Sequence, residues 1–254
     1  MMGLHSSRGR AMQVRQASNV LELLEYFAQR KQPATMAEIS DGLGWPRSST
    51  FNLVATLAER GYLYEPRLRG GYYPTQRWRM MLDEIDSADP LPEAVFDLAA
   101  DVAAETRETT AIAAPNGTQA IFLHVIESEQ PVRYFAQVGS CVPIHASSAG
   151  RALLAQMTPE ERQAIYRKSG FTLYSGTTPP SAEAVEAELA AAARRGYHQS
   201  NAEYVPDLAG LAIGLPKTGR RLSIVVAGPV PRCVPHRADI ARIIHLAMER
   251  HGLA

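Results

Sequence analysis

The sequence predicts a two-domain α+β protein. A small helical domain closed by a β-hairpin comes first, and a linker helix joins it to a larger domain built around a largely antiparallel sheet. Three observations carry this reading. Apolar residues recur at helical spacing over roughly the first 60 positions and then give way to short β-rich runs. A length of 254 residues suits two ordinary domains or one large one. Charge divides the same way: residues 1 to 80 hold 11 Lys+Arg against 6 Asp+Glu, a balance of +5, and residues 81 to 254 hold 15 against 20, a balance of −5. Such asymmetry is a mark of a nucleic-acid module joined to something else.

Composition excludes several classes. No segment reaches the ~18 uninterrupted apolar residues of a membrane span. The start, "MMGLHSSRGRAMQ", carries basic residues with no apolar stretch behind them, so it reads as a flexible arm over 1–13 rather than a signal peptide. Cys141 and Cys233 are the only cysteines, which points to a reducing, cytoplasmic compartment and away from a disulfide framework.

The first helix is expected over Ala17 to Arg30, where Val20, Leu23, Leu24 and Phe27 share a face. "QPAT" breaks it. Thr35-Met36-Ala37-Glu38 is a capping-box pattern that opens a short second helix ending near Gly42 or Gly44. Pro46 suits the first position of a third helix, where its missing N–H is not needed. In that helix Thr50, Leu53, Val54 and Leu57 fall on one face, and Arg47, Ser48, Ser49, Phe51 and Asn52 on the other. "GYLYEP" and "YYPT" then flank a basic turn with Gly70 and Gly71, a hairpin signal.

Two helices joined by a tight glycine turn, the second polar at its start, form the helix-turn-helix pattern, and the hairpin is its wing. The residue types suit double-stranded DNA. Arginine matches guanine edges, asparagine reads adenine, and small hydroxyls reach phosphates or bases. The DNA-contacting set is therefore Thr35, Arg47, Ser48, Ser49, Phe51 and Asn52, with Arg67 and Arg69 of the wing on the backbone. The bland alternative is a helical bundle with a solvated polar face.

A linker helix is expected over Thr75 to Asp86, and the segments are 14–74 for the winged head, 75–90 for the linker and 91–254 for the second domain. Past Leu91 a helix over 93–106 precedes the apolar runs "TTAIAAP", "QAIFLHVIE" and "VRYFAQ". The helix "AGRALLAQM", a capped helix after Thr158 and a helix over 181–195 follow. Strands near 197–200, 208–215 and 221–227 and a final helix from Pro235 complete an α+β sandwich.

The segment "WPRSSTFNLVATLAERGYL" resembles the recognition-helix signature of the IclR family of bacterial transcription regulators. It departs at Phe51 and Asn52, where a His-Arg pair is common, and at Trp45, where an aliphatic is usual. Downstream, "QVGSCVPIHASSAGRALLA" resembles the family's Gly-Ser, Pro, His-Ala, Gly-Lys-Ala-Leu-Leu-Ala motif, with Arg151 for lysine. "EYVPDLAGLAIGLP" resembles its Glu-Tyr, Pro-Gly, Ile-Ala segment, with Asp207 where glycine is usual, and "LSIVVAGP" its last strand. The resemblance implies a GAF-like sensor domain, and dimers or dimers of dimers. It also implies an effector pocket at Tyr134, Val142, Ser148, Ala149, Ser200, Leu208, Gly210, Val225 and Ala227.

That lining is mostly apolar with a few polar groups, as a small organic molecule requires. The start of the helix after "PIHASS" offers free N–H groups to a carboxylate, and Tyr134 can stack on an aromatic ring. Ser147 and Ser148 add hydroxyls or simply cap the helix. No enzyme or cofactor is expected. His145, Ser147 and Asp207 make a poor triad because no strained Gly-x-Ser-x-Gly elbow is present. The two cysteines lack metal-ligand spacing, and there is no phosphate loop. The competing function is a small-molecule-binding or catalytic sensor protein without sequence-specific DNA binding, whose helix-turn-helix serves protein contact.

Overall fold

The structure, a computed structural model, describes residues 14–254; the arm expected over 1–13 lies outside the described residues. Two compact units are present, one ending at Pro90 and the other spanning Leu91–Ala254.

The first unit comprises α1 (Arg15–Arg30), α2 (Met36–Leu43), α3 (Arg47–Glu59), β1 (Leu63–Tyr64), β2 (Tyr73–Pro74) and α4 (Arg77–Ala88). The capping box forms: the Glu38 N–H donates to Thr35 Oγ1 at 3.3 Å, and the Thr35 N–H to Glu38 Oε2 at 2.8 Å. Glu38 also pairs with Arg30 at 2.5 Å, tying α2 to the end of α1. Gly44 ends α2 in the left-handed conformation at φ 65°, as helix C-termini commonly do. Pro46 stands one position earlier than expected. Its ψ of 137° keeps it extended, so it is the N-cap, and its carbonyl accepts from the Thr50 N–H at 3.1 Å. Leu23, Phe27, Ile39, Val54, Leu57 and Leu63 form the core of this unit.

The wing is anchored at its base. Ala34 and Tyr72 exchange backbone hydrogen bonds of 3.0 and 2.7 Å. Gly71 sits beside them at φ 85°, and a Cβ there would collide with the backbone of Ala34, so glycine is required twice over. The helix after the wing runs two residues later than the expected Thr75 to Asp86. Trp78 fixes its start by donating its indole N–H to the Tyr62 carbonyl at 3.0 Å and packing its ring on Tyr62.

The second unit runs α5 (Glu93–Thr106), β3 (Thr109–Asn116), β4 (Gln119–Ile126), β5 (Cys141–Pro143), α6 (Ser148–Leu154), α7 (Pro159–Tyr166), α8 (Ala182–Arg195), β6 (His198–Asn201), β7 (Leu208–Gly214), β8 (Ser223–Pro229), α9 (Val230–Cys233) and α10 (Arg237–Arg250). The strands form one antiparallel sheet in the order β5-β4-β3-β8-β7-β6. Side chains alternate across it. Ile112, Leu211, Ile213, Ile224 and Val226 pack under α5 and α10. Ala111, Ala113, Ala212 and Val225 face α6 instead. These smaller residues let α6 lie close to the sheet. Gly150 lets α6 fold back just as closely on the segment that leads into it, since a Cβ on it would strike the backbone of Ile144.

One expected strand is absent. "VRYFAQ" forms no ladder. Its carbonyls are met by side chains: Thr109 Oγ1 donates to Tyr134 O at 2.7 Å, and Arg232 Nη2 to Val132 O at 2.7 Å. Val132, Phe135 and Val138 are exposed, while Ala136 is buried. The final helix begins at Arg237, two residues after Pro235, because the separate turn of α9 precedes it.

Candidate functional site

In the first unit, α3 divides as its spacing dictates. Thr50, Val54 and Leu57 are buried, and Leu53 is half-buried. Arg47, Ser48, Ser49, Phe51 and Asn52 are all exposed, Phe51 at 57%. Arg67 and Arg69 are exposed at the turn of the wing, and Arg69 adopts φ 59° there. Thr35 differs from the others. Its hydroxyl is engaged by Glu38 on both sides, accepting from the N–H and donating to Oε2 at 2.9 Å. Its first role is to start α2.

In the second unit, the nine residues named from the family motifs come together. Tyr134, Val142, Ser148, Ala149, Ser200, Leu208, Gly210, Val225 and Ala227 line one cavity between α6 and the sheet. They are brought in from β5, α6, β6, β7, β8 and the segment before β5. The cavity also takes in Ser147, whose hydroxyl the sequence offered beside that of Ser148, and Phe122, Ala146, Glu203, Tyr204 and Val205, which were not anticipated. Phe122 and Ala146 were legible as inward positions flanking Val142 and Ser148. Glu203, Tyr204 and Val205 belong to the β6–β7 connection, and only their place in "EYVPD" hinted at them.

Gly210 opens the floor of the cavity. A Cβ there would lie 2.6 Å from Ser148 Oγ and 2.9 Å from Ser200 Oγ, so the two hydroxyls converge over the glycine. Among the described residues neither hydroxyl has a protein partner. Ser147 is different: it donates to Pro143 O at 2.7 Å and accepts from the Gly150 N–H at 3.1 Å, so it caps α6. The N–H groups of Ser148 and Ala149 remain, since a first helical turn leaves them without intrahelical partners. Burial, reinforced by Tyr204, pushes the Tyr134 phenol up to about 12, so it is a neutral donor at physiological pH.

Arg151 of α6 is fully buried. Its guanidinium forks onto Glu203, with Nη1–Oε2 2.6 Å and Nη2–Oε1 3.1 Å. It also donates to the carbonyls of His145, at 2.8 Å, and of Gln199. His198 sits nearby on β6, its pKa pushed down to about 4 by burial first and by Arg151 next. His145 Nε2 lies 3.3 Å from Thr172 O, and its ring packs edge-on against Phe171. No hydrogen bond joins His145, Ser147 and Asp207 among the described residues. No group of three or more His, Cys, Asp or Glu suited to a metal occurs among them either. None of their helices is long and apolar enough to cross a membrane.

Comparison with known proteins covers both units. Residues 16–67 match the IclR helix-turn-helix domain, and residues 91–248 match the bacterial transcriptional regulator IclR C-terminal domain. The transcriptional repressor IclR of Escherichia coli (strain K12) is 25% identical over 229 residues, covering 89% of this chain and 84% of that protein. The transcriptional repressor AllR of the same strain is 26% identical over 195 residues, covering 74% and 69%. Among solved structures, IclR of Thermotoga maritima superposes with a TM-score of 0.69 at 16% identity, covering 94% of this chain and 98% of that one. An IclR homologue of Microbacterium hydrocarbonoxydans in complex with 4-hydroxybenzoate gives 0.67 at 24% identity, covering 93% and 98%.

Proposed function

The chain belongs to the IclR family of bacterial transcriptional regulators, and from that premise we propose that its cavity takes a small aromatic carboxylate which modulates binding to an operator. It is a DNA-binding transcription regulator with an effector-binding C-terminal domain. The observation that carries the ligand class is the lining of the cavity: an apolar box with two unpartnered hydroxyls over Gly210. The hydroxyls can donate to a carboxylate, and Tyr134 and Tyr204 offer faces to a ring. The related fold bound to 4-hydroxybenzoate makes that acid the natural first probe.

In this reading residues 14–74 are the DNA-binding head, 75–90 the linker and 91–254 the sensor. The exposed face of α3 enters the major groove, with Arg47, Ser48, Ser49, Phe51 and Asn52 at base edges and phosphates, and Arg67 and Arg69 of the wing on the backbone. Thr35 supports the head by capping α2, beside the same DNA surface. The protein works as a homodimer or dimer of dimers, because half-sites a helical turn apart need two recognition helices. Acting on a bacterial chromosome, it works in the cytoplasm, and it needs neither cofactor nor catalysis. The effector acts by binding one arrangement of the paired heads better than another, and the coupling is reciprocal.

A thermal-shift screen of small aromatic and aliphatic acids tests the ligand class. A ligand present at 100 times its Kd stabilises the native state by about 2.7 kcal/mol, enough to raise the melting temperature by several degrees. A panel in which no carboxylate raises it removes the reading.

A further inference from the structure

We propose that Arg151 and Glu203 form a latch that holds the β6–β7 connection over the cavity, and that the effector enters and leaves by opening this connection. The inference rests on the cavity being the effector site.

The connection is a short hairpin loop. The Ala202 N–H donates to Leu208 O at 2.8 Å and closes its base. Within it, Glu203, Tyr204 and Val205 form part of the cavity wall. Most of the remaining wall comes from strands and α6, which the sheet ladder and two cores hold in place. The connection has less support. None of residues 201–207 is fully buried, and its apolar anchor is Tyr204, which packs against the cavity-side core and edge-on to Tyr174.

Both ends of the loop carry non-glycine residues in the left-handed region, Ala202 at φ 51° and Asp207 at φ 60°. Such residues hold that conformation only when their surroundings impose it. Neutral contacts hold the two ends, with Thr177 Oγ1 at 2.9 Å from Asn201 O and 3.1 Å from Ala202 O and the Val230 N–H donating to Asp207 O at 2.8 Å, and the charged contact falls on Glu203 between them. The Glu203 carboxylate is forked by Arg151, and the Glu203 carbonyl accepts from Thr178 Oγ1 at 2.5 Å.

The latch is strong and yet releasable. Arg151 is fully buried, and two backbone carbonyls retain it when the carboxylate swings away. Glu203 reaches water from its place on the loop. Opening therefore moves an acid into solvent and leaves the cation held. A fork of two charge-assisted hydrogen bonds keeps this state rare, and loss of one partner of a buried pair is costly.

Hydrogen–deuterium exchange on the full chain, without ligand, compares the wild type with Glu203→Gln and Arg151→Lys. Lysine keeps the charge at 151 and loses the fork. Amides of residues 202–208 should exchange about ten-fold faster or more in Glu203→Gln, and by a smaller factor in Arg151→Lys, while β3 and β8 keep their protection. Unchanged exchange over 202–208 in both variants overturns the latch. So does an increase spread evenly through the sensor domain, which marks the pair as merely structural.

Stopped-flow measurement with 4-hydroxybenzoate as probe supplies the second arm. Association and dissociation should both accelerate in Glu203→Gln, and unchanged rates overturn the route. If exchange responds as expected and 4-hydroxybenzoate binds neither protein, the latch stands and the aromatic-carboxylate reading fails.

Discussion

Gly210→Ala tests the cavity most sharply, because the added atom has a known position. Its Cβ would lie 2.6 Å from Ser148 Oγ and 2.9 Å from Ser200 Oγ, both under the 3.0 Å below which real Cβ contacts essentially do not occur. The backbone does not need to move, since Gly210 does not occupy the left-handed region. Both hydroxyls must rotate away instead. A ligand then loses two hydrogen bonds at about 0.5–1.5 kcal/mol each, roughly 1–3 kcal/mol together. That is about a 5- to 150-fold rise in Kd. The fold itself should change by no more than about 1 kcal/mol. The assay is isothermal titration with the acid that gives the largest thermal shift, alongside operator binding without ligand. Operator affinity should hold while ligand affinity falls. A Kd within about two-fold of wild type would show that the two serines do not hold the ligand, and the proposed polar end of the cavity would be wrong.

Replacing Ser48 and Ser49 by alanine together should weaken operator binding by about 30-fold or more, from two hydrogen bonds lost in each head of a dimer at about 0.5–1.5 kcal/mol each, with the melting temperature nearly unchanged; gel shift and calorimetry check this, and unaltered binding moves recognition off α3. Arg67→Ala with Arg69→Ala should reduce the slope of log K against log salt by about 3.6 for a dimer, about 0.9 for each of four lost phosphate contacts, read from anisotropy at several salt concentrations. Thr35→Ala should cost about 1 kcal/mol of stability through the lost cap, measured by urea unfolding. His198 gives a pH signature. Its folded pKa of about 4 lies below the unfolded value of 6.5, so between those values the unfolded chain binds the extra proton. Stability should fall by about 3 kcal/mol as pH drops from 6.5 to 4, and His198→Asn should flatten that slope in urea titrations.

The parts of the molecule that could be read from sequence are those written locally. Thr35 and Glu38 are three residues apart and make the capping box they spell. The 0, 3, 4, 7 spacing from Thr50 to Leu57 sorts α3 into a buried and an exposed face. The nine cavity residues, placed by the family resemblance and not by local spacing, share a wall in the structure. The failures have non-local causes. "VRYFAQ" has the composition of a strand, but Thr109 and Arg232, 25 and 100 residues distant from their acceptors, satisfy its carbonyls. Glu203 reaches the cavity through a partner 52 residues away. Nothing in the spacing of "EYVPD" announces that partner. Arg151 was visible only as a substitute for lysine, and its fork onto Glu203 emerged from the packing of α6 on β6.

The central claim is that one chain binds an operator and that a small acid changes that binding. Fluorescence anisotropy with the DNA upstream of the protein's own gene, across salt and with or without the best acid from the thermal screen, tests it directly. The account predicts tight binding at low salt that weakens steeply as salt rises. It also predicts a shift of about 5- to 150-fold on adding the acid. Absence of binding at low salt, or an affinity indifferent to an acid that does bind the protein, would contradict it.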